Sequence, residues 1–419
     1  MDKLIIEGGH ELKGSIRVSG AKNSALPILS AVILADGQYR ISEAPELVDI
    51  STMLKLLGEL GISSKREGRT VILDSKCDPD RIESPYELVK TMRASVLTLG
   101  PLVARKGRAR VSLPGGCAIG ERPVDLHLKA LEAMGAVIKV EHGYVEASCD
   151  RLKGAEITFD IVTVTGTENI MMAATLADGE TILRNAAQEP EVVDLARFLK
   201  KMGADIDGEG TKEIRIRGMK SLSNADYTVM PDRIEAGTFL CCVAAAGGEL
   251  ELTNAPVQQM RSTLDKLKEA GLAIEKINDT TIKAAKTKPL SATDITTLPY
   301  PGFATDMQAQ FMAVMVCSEG VSVATETIFE NRFMHVGEMK RMGADIKLKD
   351  KSAIIKGVKK LTGAPVMASD LRASASLVIA GLMADGETEV SRLYHLDRGY
   401  ENFVEKLSAV GAKLKRVKE

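Results

Sequence analysis

Cysteine 117 stands in a segment, Pro114-Gly115-Gly116-Cys117-Ala118-Ile119-Gly120-Glu121-Arg122-Pro123, that holds three glycines and two prolines in ten residues. That composition predicts a long surface connection rather than a helix or strand. Structural cysteines are usually buried, so a thiol in such a loop is a candidate for chemistry, and Arg122 would favour its thiolate. A second group of residues sits at the starts of apolar helical patterns: Lys22-Asn23, Arg93, Asp232-Arg233, Thr305-Asp306 and Asp370-Leu371-Arg372. Asp, Asn and Thr there have an ordinary reading as N-caps. Lys22, Arg93 and Arg372 do not, because a cation in the first turn opposes the helix dipole unless an anion is bound there. These features alone leave three classes open. A cysteine-dependent acyl transferase wants a histidine base, and His127 is ten residues from Cys117. A phosphotransferase wants a phosphate loop and magnesium carboxylates, and neither pattern is present. A cleft that only binds an anion needs no thiol.

The elements that must position these residues recur. Amphipathic helical patterns end at Gly61, Gly135, Gly203, Gly271, Gly343 and Gly411, and more apolar ones end at Gly37, Gly107, Gly179, Gly248, Gly320 and Gly386. Glycine is the residue that takes the left-handed helix cap without strain. The repeating unit reads apolar helix, strand, amphipathic helix, strand pair, six times over. Only Ala412 to Glu419 follow the last glycine, so the N-terminal strand around Lys3–Glu7 is expected to complete the sixth unit. Three units per domain are expected, residues 21–229 in the first and 1–20 plus 230–419 in the second. Lys220–Tyr227 is expected as the second crossing, with a hinge and a cleft between the domains.

A chain of 419 residues with 45% hydrophobic and 27% charged content is neither disordered nor fibrous. Its 55 Lys and Arg against 57 Asp and Glu argue against a chain built to coat nucleic acid or membrane. The apolar runs are too short to span a bilayer, and the first residues lack a signal-peptide pattern. The six cysteines show no metal-ligand spacing. A cytoplasmic protein with free thiols, no metal and no cofactor is expected; its oligomeric state is not readable.

Ser19-Gly20-Ala21-Lys22-Asn23, Leu113-Pro114-Gly115-Gly116-Cys117, Arg122-Pro123-Val124-Asp125-Leu126-His127, Thr305-Asp306, Glu330-Asn331-Arg332-Phe333-Met334-His335, Asp370-Leu371-Arg372 and Asp397-Arg398-Gly399-Tyr400 together resemble the enolpyruvyl transferases. The resemblance covers essentially the whole chain. It implies an α/β fold of two inverse α/β barrels, each of three βαβαββ units, with a cleft between them. It implies transfer of the enolpyruvyl group of phosphoenolpyruvate to the 3-hydroxyl of UDP-N-acetylglucosamine with release of phosphate, the first committed step of peptidoglycan synthesis. The sister enzymes acting on shikimate 3-phosphate, 3-phosphoshikimate 1-carboxyvinyltransferase-like, are the alternative, and they lack the cysteine loop. By resemblance the catalytic residues are Cys117 as acid, Asp306 as base or hydroxyl anchor, Lys22 and Arg398. Phosphoenolpyruvate would be held by Lys22, Asn23, Arg122, Arg332, Arg372 and Arg398. The nucleotide sugar would lie on Arg93, Arg122, Pro123, Val124, Asp125, Leu126, Ile161, Val162, Thr163, Val164, Asp306 and Ile328. Ile161 and Val48 stand where better-known members carry lysine.

Overall fold

Each of the twelve repeat glycines has a positive φ; for the six that close the amphipathic helices it lies between 91° and 104°. The six of the amphipathic series each follow a helix C-cap; in the apolar series only Gly107 caps a helix, while Gly37 and Gly248 open strands and Gly179, Gly320 and Gly386 stand one residue before a strand. A computed structural model describes residues 2–76, 78–113 and 124–418. Cys117, Arg122 and Pro123 lie outside the described residues, as does Cys77. The described residues build six four-stranded sheets of one topology. In the sheet Glu156–Thr158, Glu180–Arg184, Glu213–Arg217, Asp205–Asp207, in spatial order, the first pair is parallel and the others are antiparallel. A parallel pair requires a crossover, which the helix Val164–Ala174 supplies.

The strand Asp2–Glu7 pairs antiparallel with both Glu387–Ser391 and Lys413–Lys418, completing the sixth unit. Two other edge strands arrive from a distance in sequence: Leu12–Arg17 lies parallel to Gly248–Thr253, and Tyr227–Thr228 parallel to Gly37–Ser42. The chain divides into two compact units, and the crossings fall between Ser19 and Gly20 and between Met230 and Pro231. The second crossing thus comes later than Lys220–Tyr227. That stretch is tied to its own unit by Asn224 donating to the Gln38 carbonyl and by the Tyr227–Ile41 pairing.

Within each unit the apolar helices are buried nearly all round, as a helix without a polar face must be. In one unit these are Arg233–Ala246, Gln308–Met315 and Leu371–Met383, the last buried without a break from Arg372 to Leu382. In the other they include Lys22–Ala31, Leu99–Lys106 and Val164–Ala174. The amphipathic helices, such as Pro190–Lys201 and Val48–Glu59, present one buried stripe. Several charged residues that interrupt this packing lie at helix starts, Lys22, Glu235 and Arg372 among them.

Buried carboxylates anchor both crossings. Glu235 accepts from the Ser19 amide (2.6 Å) and from Lys406 (2.6 Å), and Lys406 also reaches the Ser19 hydroxyl. Burial pushes the Glu235 carboxyl up to about 7, although Lys406 and the Ser19 amide oppose it. At the other crossing Asp194 accepts from the Tyr227 hydroxyl (2.7 Å), the Met230 amide (3.1 Å) and the Ser24 hydroxyl.

Candidate active site

Asp306 lies in the short 3-10 turn Thr305–Met307 that opens the helix Gln308–Met315. Its carboxylate does not cap that helix. It is clamped by two guanidiniums, Oδ1 accepting from Arg332 at 2.7 Å and Oδ2 from Arg372 at 2.8 Å. Arg332 precedes the helix His335–Arg341, and Arg372 is the second residue of the helix Leu371–Met383. Asp370 is the true cap there, accepting from the amides of Arg372 and Ala373, and Asp232 caps Arg233–Ala246 in the same way. The N-cap reading therefore holds for Asp370 and Asp232 and fails for Asp306.

Each arginine has a second anchor. Arg332 donates to the Thr305 hydroxyl (2.9 Å), which donates to Glu326 (2.8 Å). The other oxygen of Glu326 takes the Thr297 hydroxyl (2.7 Å) and the amides of Ile328 and Phe329. The Ile328 amide is thus committed within the protein. Arg372 donates to the Tyr400 hydroxyl (3.1 Å), which Thr238 (3.0 Å) and Gln310 (3.2 Å) also meet. Gln310 further donates to the Asp306 carbonyl (2.8 Å), fixing that backbone. Arg332 and Arg372 are only 6% and 3% exposed, yet the Nε of each has no partner.

Two buried guanidiniums therefore share one carboxylate. Burial alone would raise the Asp306 carboxyl, but the charges of Arg372 and Arg332 outweigh it and hold it well below the usual carboxylate range. The Arg372 guanidinium, disfavoured by burial, is held charged by Asp306. His335 packs nearby, pushed down to about 4 by burial despite the Asp370 charge, so it is neutral at pH 7. Arg398 ends the 3-10 helix Leu393–Arg398.

In the other unit Lys22 is the first residue of Lys22–Ala31, whose cap Ala21 gives no side-chain bond. The unfavourable helix-start cation has a partner: Asp49, buried in the first turn of Val48–Glu59, at 3.0 Å. Arg93 opens the 3-10 helix Arg93–Thr98. His127 is buried. The Asn169 Oδ1 takes the Gly100 amide (2.8 Å), which turns the Asn169 Nδ2 toward His127 Nδ1 (2.9 Å) and makes that nitrogen an acceptor. Burial, then the Arg93 charge, pushes His127 down to about 4. It is a buried, neutral imidazole whose tautomer Asn169 fixes. Val124 is the N-cap of the helix Asp125–Ala133, and Leu126 is half-buried. Thr163 caps Val164–Ala174 by accepting from Gly166 (3.2 Å), and Val162 is half-buried beside Ile161, which is 63% exposed.

The structure thus joins Asp306, Arg332 and Arg372 directly and gives Lys22 a partner, Asp49, that sequence reasoning missed. Asp49 lies in register with Met53 and Leu56 on a buried stripe, and a carboxylate on such a stripe was the available signal. Glu326 and Tyr400 were missed as members of the cluster. Among the described residues no group of three or more His, Cys, Asp or Glu is placed to hold a metal, and no helix is long and apolar enough to cross a membrane.

The chain is similar to the UDP-N-acetylglucosamine 1-carboxyvinyltransferase of Nitratidesulfovibrio vulgaris strain DP4, 59% identical over 419 residues and covering 100% of both chains. It is 57% identical over 420 residues to the protein of that name from Geobacter metallireducens, again with 100% of both covered. Among solved structures it is similar to the enolpyruvyl transferase NikO from Streptomyces tendae (TM-score 0.89, 26% identity, 100% of this chain and 99% of that one). The fold alone is shared with EPSP synthase from Acinetobacter baumannii (TM-score 0.77, 20% identity, 100% of both). Residues 6–407 match the EPSP synthase (3-phosphoshikimate 1-carboxyvinyltransferase) family, so the chain belongs to the enolpyruvyl transferases.

Proposed function

We propose that this enzyme transfers the enolpyruvyl group of phosphoenolpyruvate to the 3-hydroxyl of UDP-N-acetylglucosamine and releases phosphate, in the cytoplasm, as the first committed step of peptidoglycan synthesis. The observation that carries the proposal is the 59% identity over the full chain to a relative of that name, and the pairing of two buried arginines with one aspartate supports it. Two buried guanidiniums whose Nε donors have no partner are suited to a small polyanion.

The reaction needs a proton delivered to C3 of phosphoenolpyruvate while the sugar oxygen attacks C2. Cys117 is assigned the acid and Asp306 the base that takes the hydroxyl proton. Elimination of phosphate then returns the enol ether. Lys22, Asn23, Arg122, Arg332, Arg372 and Arg398 are assigned to the phosphate and carboxylate. Arg93, residues 122–126, residues 161–164, Asp306 and Ile328 are assigned to the nucleotide sugar. The exposed Ile161 and Val48 offer apolar surface rather than charge, which leaves backbone groups to meet the nucleotide.

Phosphate release tests the assignment. Turnover is expected with phosphoenolpyruvate plus UDP-N-acetylglucosamine and not with shikimate 3-phosphate. The reverse preference would move the chain to the sister activity, and release with neither acceptor would reduce it to an anion-binding protein.

A further inference from the structure

Among the described charged clusters, the one at Asp306 is built unlike an ordinary structural ion pair. Three features set it apart. The arginines are almost completely buried, while the Asp306 side chain keeps 27% of its surface, so the carboxylate is the solvent-side partner. Both guanidiniums are tethered without it, Arg332 to Thr305 and Glu326 behind it, Arg372 to Tyr400. Two buried Nε donors remain unpaired, so the cluster presents more donors than its own acceptors fill.

We propose that Asp306 is a built-in competitor for the anion site: its carboxylate holds the two guanidiniums that a substrate carboxylate or phosphate needs, and the anion binds in exchange for it. This rests on the functional reading above. The exchange leaves the arginines where they are, because their other anchors persist, and moves only the Asp306 side chain, since Gln310 holds the Asp306 carbonyl. Removing the two cationic neighbours from Asp306 removes what depresses its carboxyl. Basicity then appears only once the anion is seated, and the anion and the base are never both engaged by the same arginines. The exchange also costs affinity, because part of the binding energy goes into breaking two charge-assisted hydrogen bonds.

The sign of one mutational effect separates this from a simple binding role. In a Cys117→Ser background, which prevents covalent addition, Asp306→Asn and Asp306→Ser are expected to bind phosphoenolpyruvate at least about tenfold more tightly than the parent by calorimetry (about 1.4 kcal/mol). Inorganic phosphate distinguishes which end of the substrate makes the exchange. The same gain with phosphate assigns it to the phosphoryl group, and a gain confined to phosphoenolpyruvate assigns it to the carboxylate. Carbon-13 carboxyl spectra of the parent add a readout that needs only the assignment from the variant: the Asp306 midpoint should rise by at least about one pH unit when phosphoenolpyruvate saturates the protein. Unchanged or weaker binding in both variants overturns the exchange while leaving the function intact. If phosphoenolpyruvate binds none of the proteins, the functional reading fails and the exchange fails with it.

Discussion

The two units repeat one topology three times each, yet they treat buried charge differently at their helix starts. In one, Lys22 faces a single carboxylate, Asp49, at 3.0 Å, and the neighbouring polar residues His127 and Asn169 form a neutral network. In the other, two arginines share Asp306. The first is built on one ammonium; the second is built on two guanidiniums, with Glu326 behind Arg332. Topology therefore places charged groups at comparable helix starts, and tertiary packing decides which carboxylates each cation meets. The choice of cation fits: a guanidinium with several fixed donors can keep one partner while exchanging another, whereas an ammonium acts as a point charge.

The largest expected effect tests the side with two guanidiniums. Asp306→Ala should lower turnover by about 10²–10⁴-fold, the range for loss of a positioned acid or base. It should also destabilise its unit by about 3–5 kcal/mol, because it strips the shared partner from two buried cations. The cost exceeds that of a lost N-cap, about 1 kcal/mol, since the carboxylate caps nothing. Steady-state kinetics and denaturant melts check both. Activity within a few-fold of the parent would return Asp306 to a structural role.

Next comes the side with one ammonium. Asp49→Asn keeps the shape but leaves one buried ammonium instead of two guanidiniums, so its melting temperature should fall less than that of Asp306→Ala. It also removes a negative charge from the first turn of Val48–Glu59, worth a further 0.3–1 kcal/mol or so. An equal or larger loss for Asp49→Asn would mean that the Lys22–Asp49 pair, not the Asp306 cluster, carries more of the electrostatic stability, and the contrast between the units would collapse.

How far these sites were legible differs in the same way. The repeat was readable because the left-handed helix cap favours glycine, and the six glycines of the amphipathic series follow their helix C-caps with positive φ. The closing role of Asp2–Glu7 was readable from an incomplete last unit. The cations were readable because Lys22 and Arg372 oppose a helix dipole. Their partners were not. Asp49 comes 27 residues after Lys22, and Asp306 meets Arg372 across 66. No local pattern reports a pairing that tertiary packing creates, and an aspartate beside a helix start looks like a cap whether it caps, as Asp370 does, or reaches elsewhere, as Asp306 does.

The smallest expected effect concerns a buried carboxyl with an unpartnered oxygen. Glu168 lies within the helix Val164–Ala174, 2% exposed, and its Oε1 has no hydrogen bond. Burial, then the charges of Glu191 and Glu189, raises its carboxyl well above the ordinary value. A carboxyl raised in the folded chain holds its proton after the unfolded chain has lost one. Its contribution is therefore complete below the unfolded pKa of 4.5 and drains away as pH rises toward and through the folded value. Glu168→Gln imitates the protonated form at every pH. It should leave the melting temperature at pH 4.5 nearly unchanged and raise it progressively at higher pH, by roughly 2–4 °C for each kcal/mol recovered. The same change at Asp49 should run the other way at pH 7, because that carboxylate has a cation to neutralise and Glu168 has none. Parallel thermal melts of the two variants across pH 4.5–8 decide the matter: a destabilised Glu168→Gln at pH 8 would show that this buried carboxyl is ionised and partnered after all.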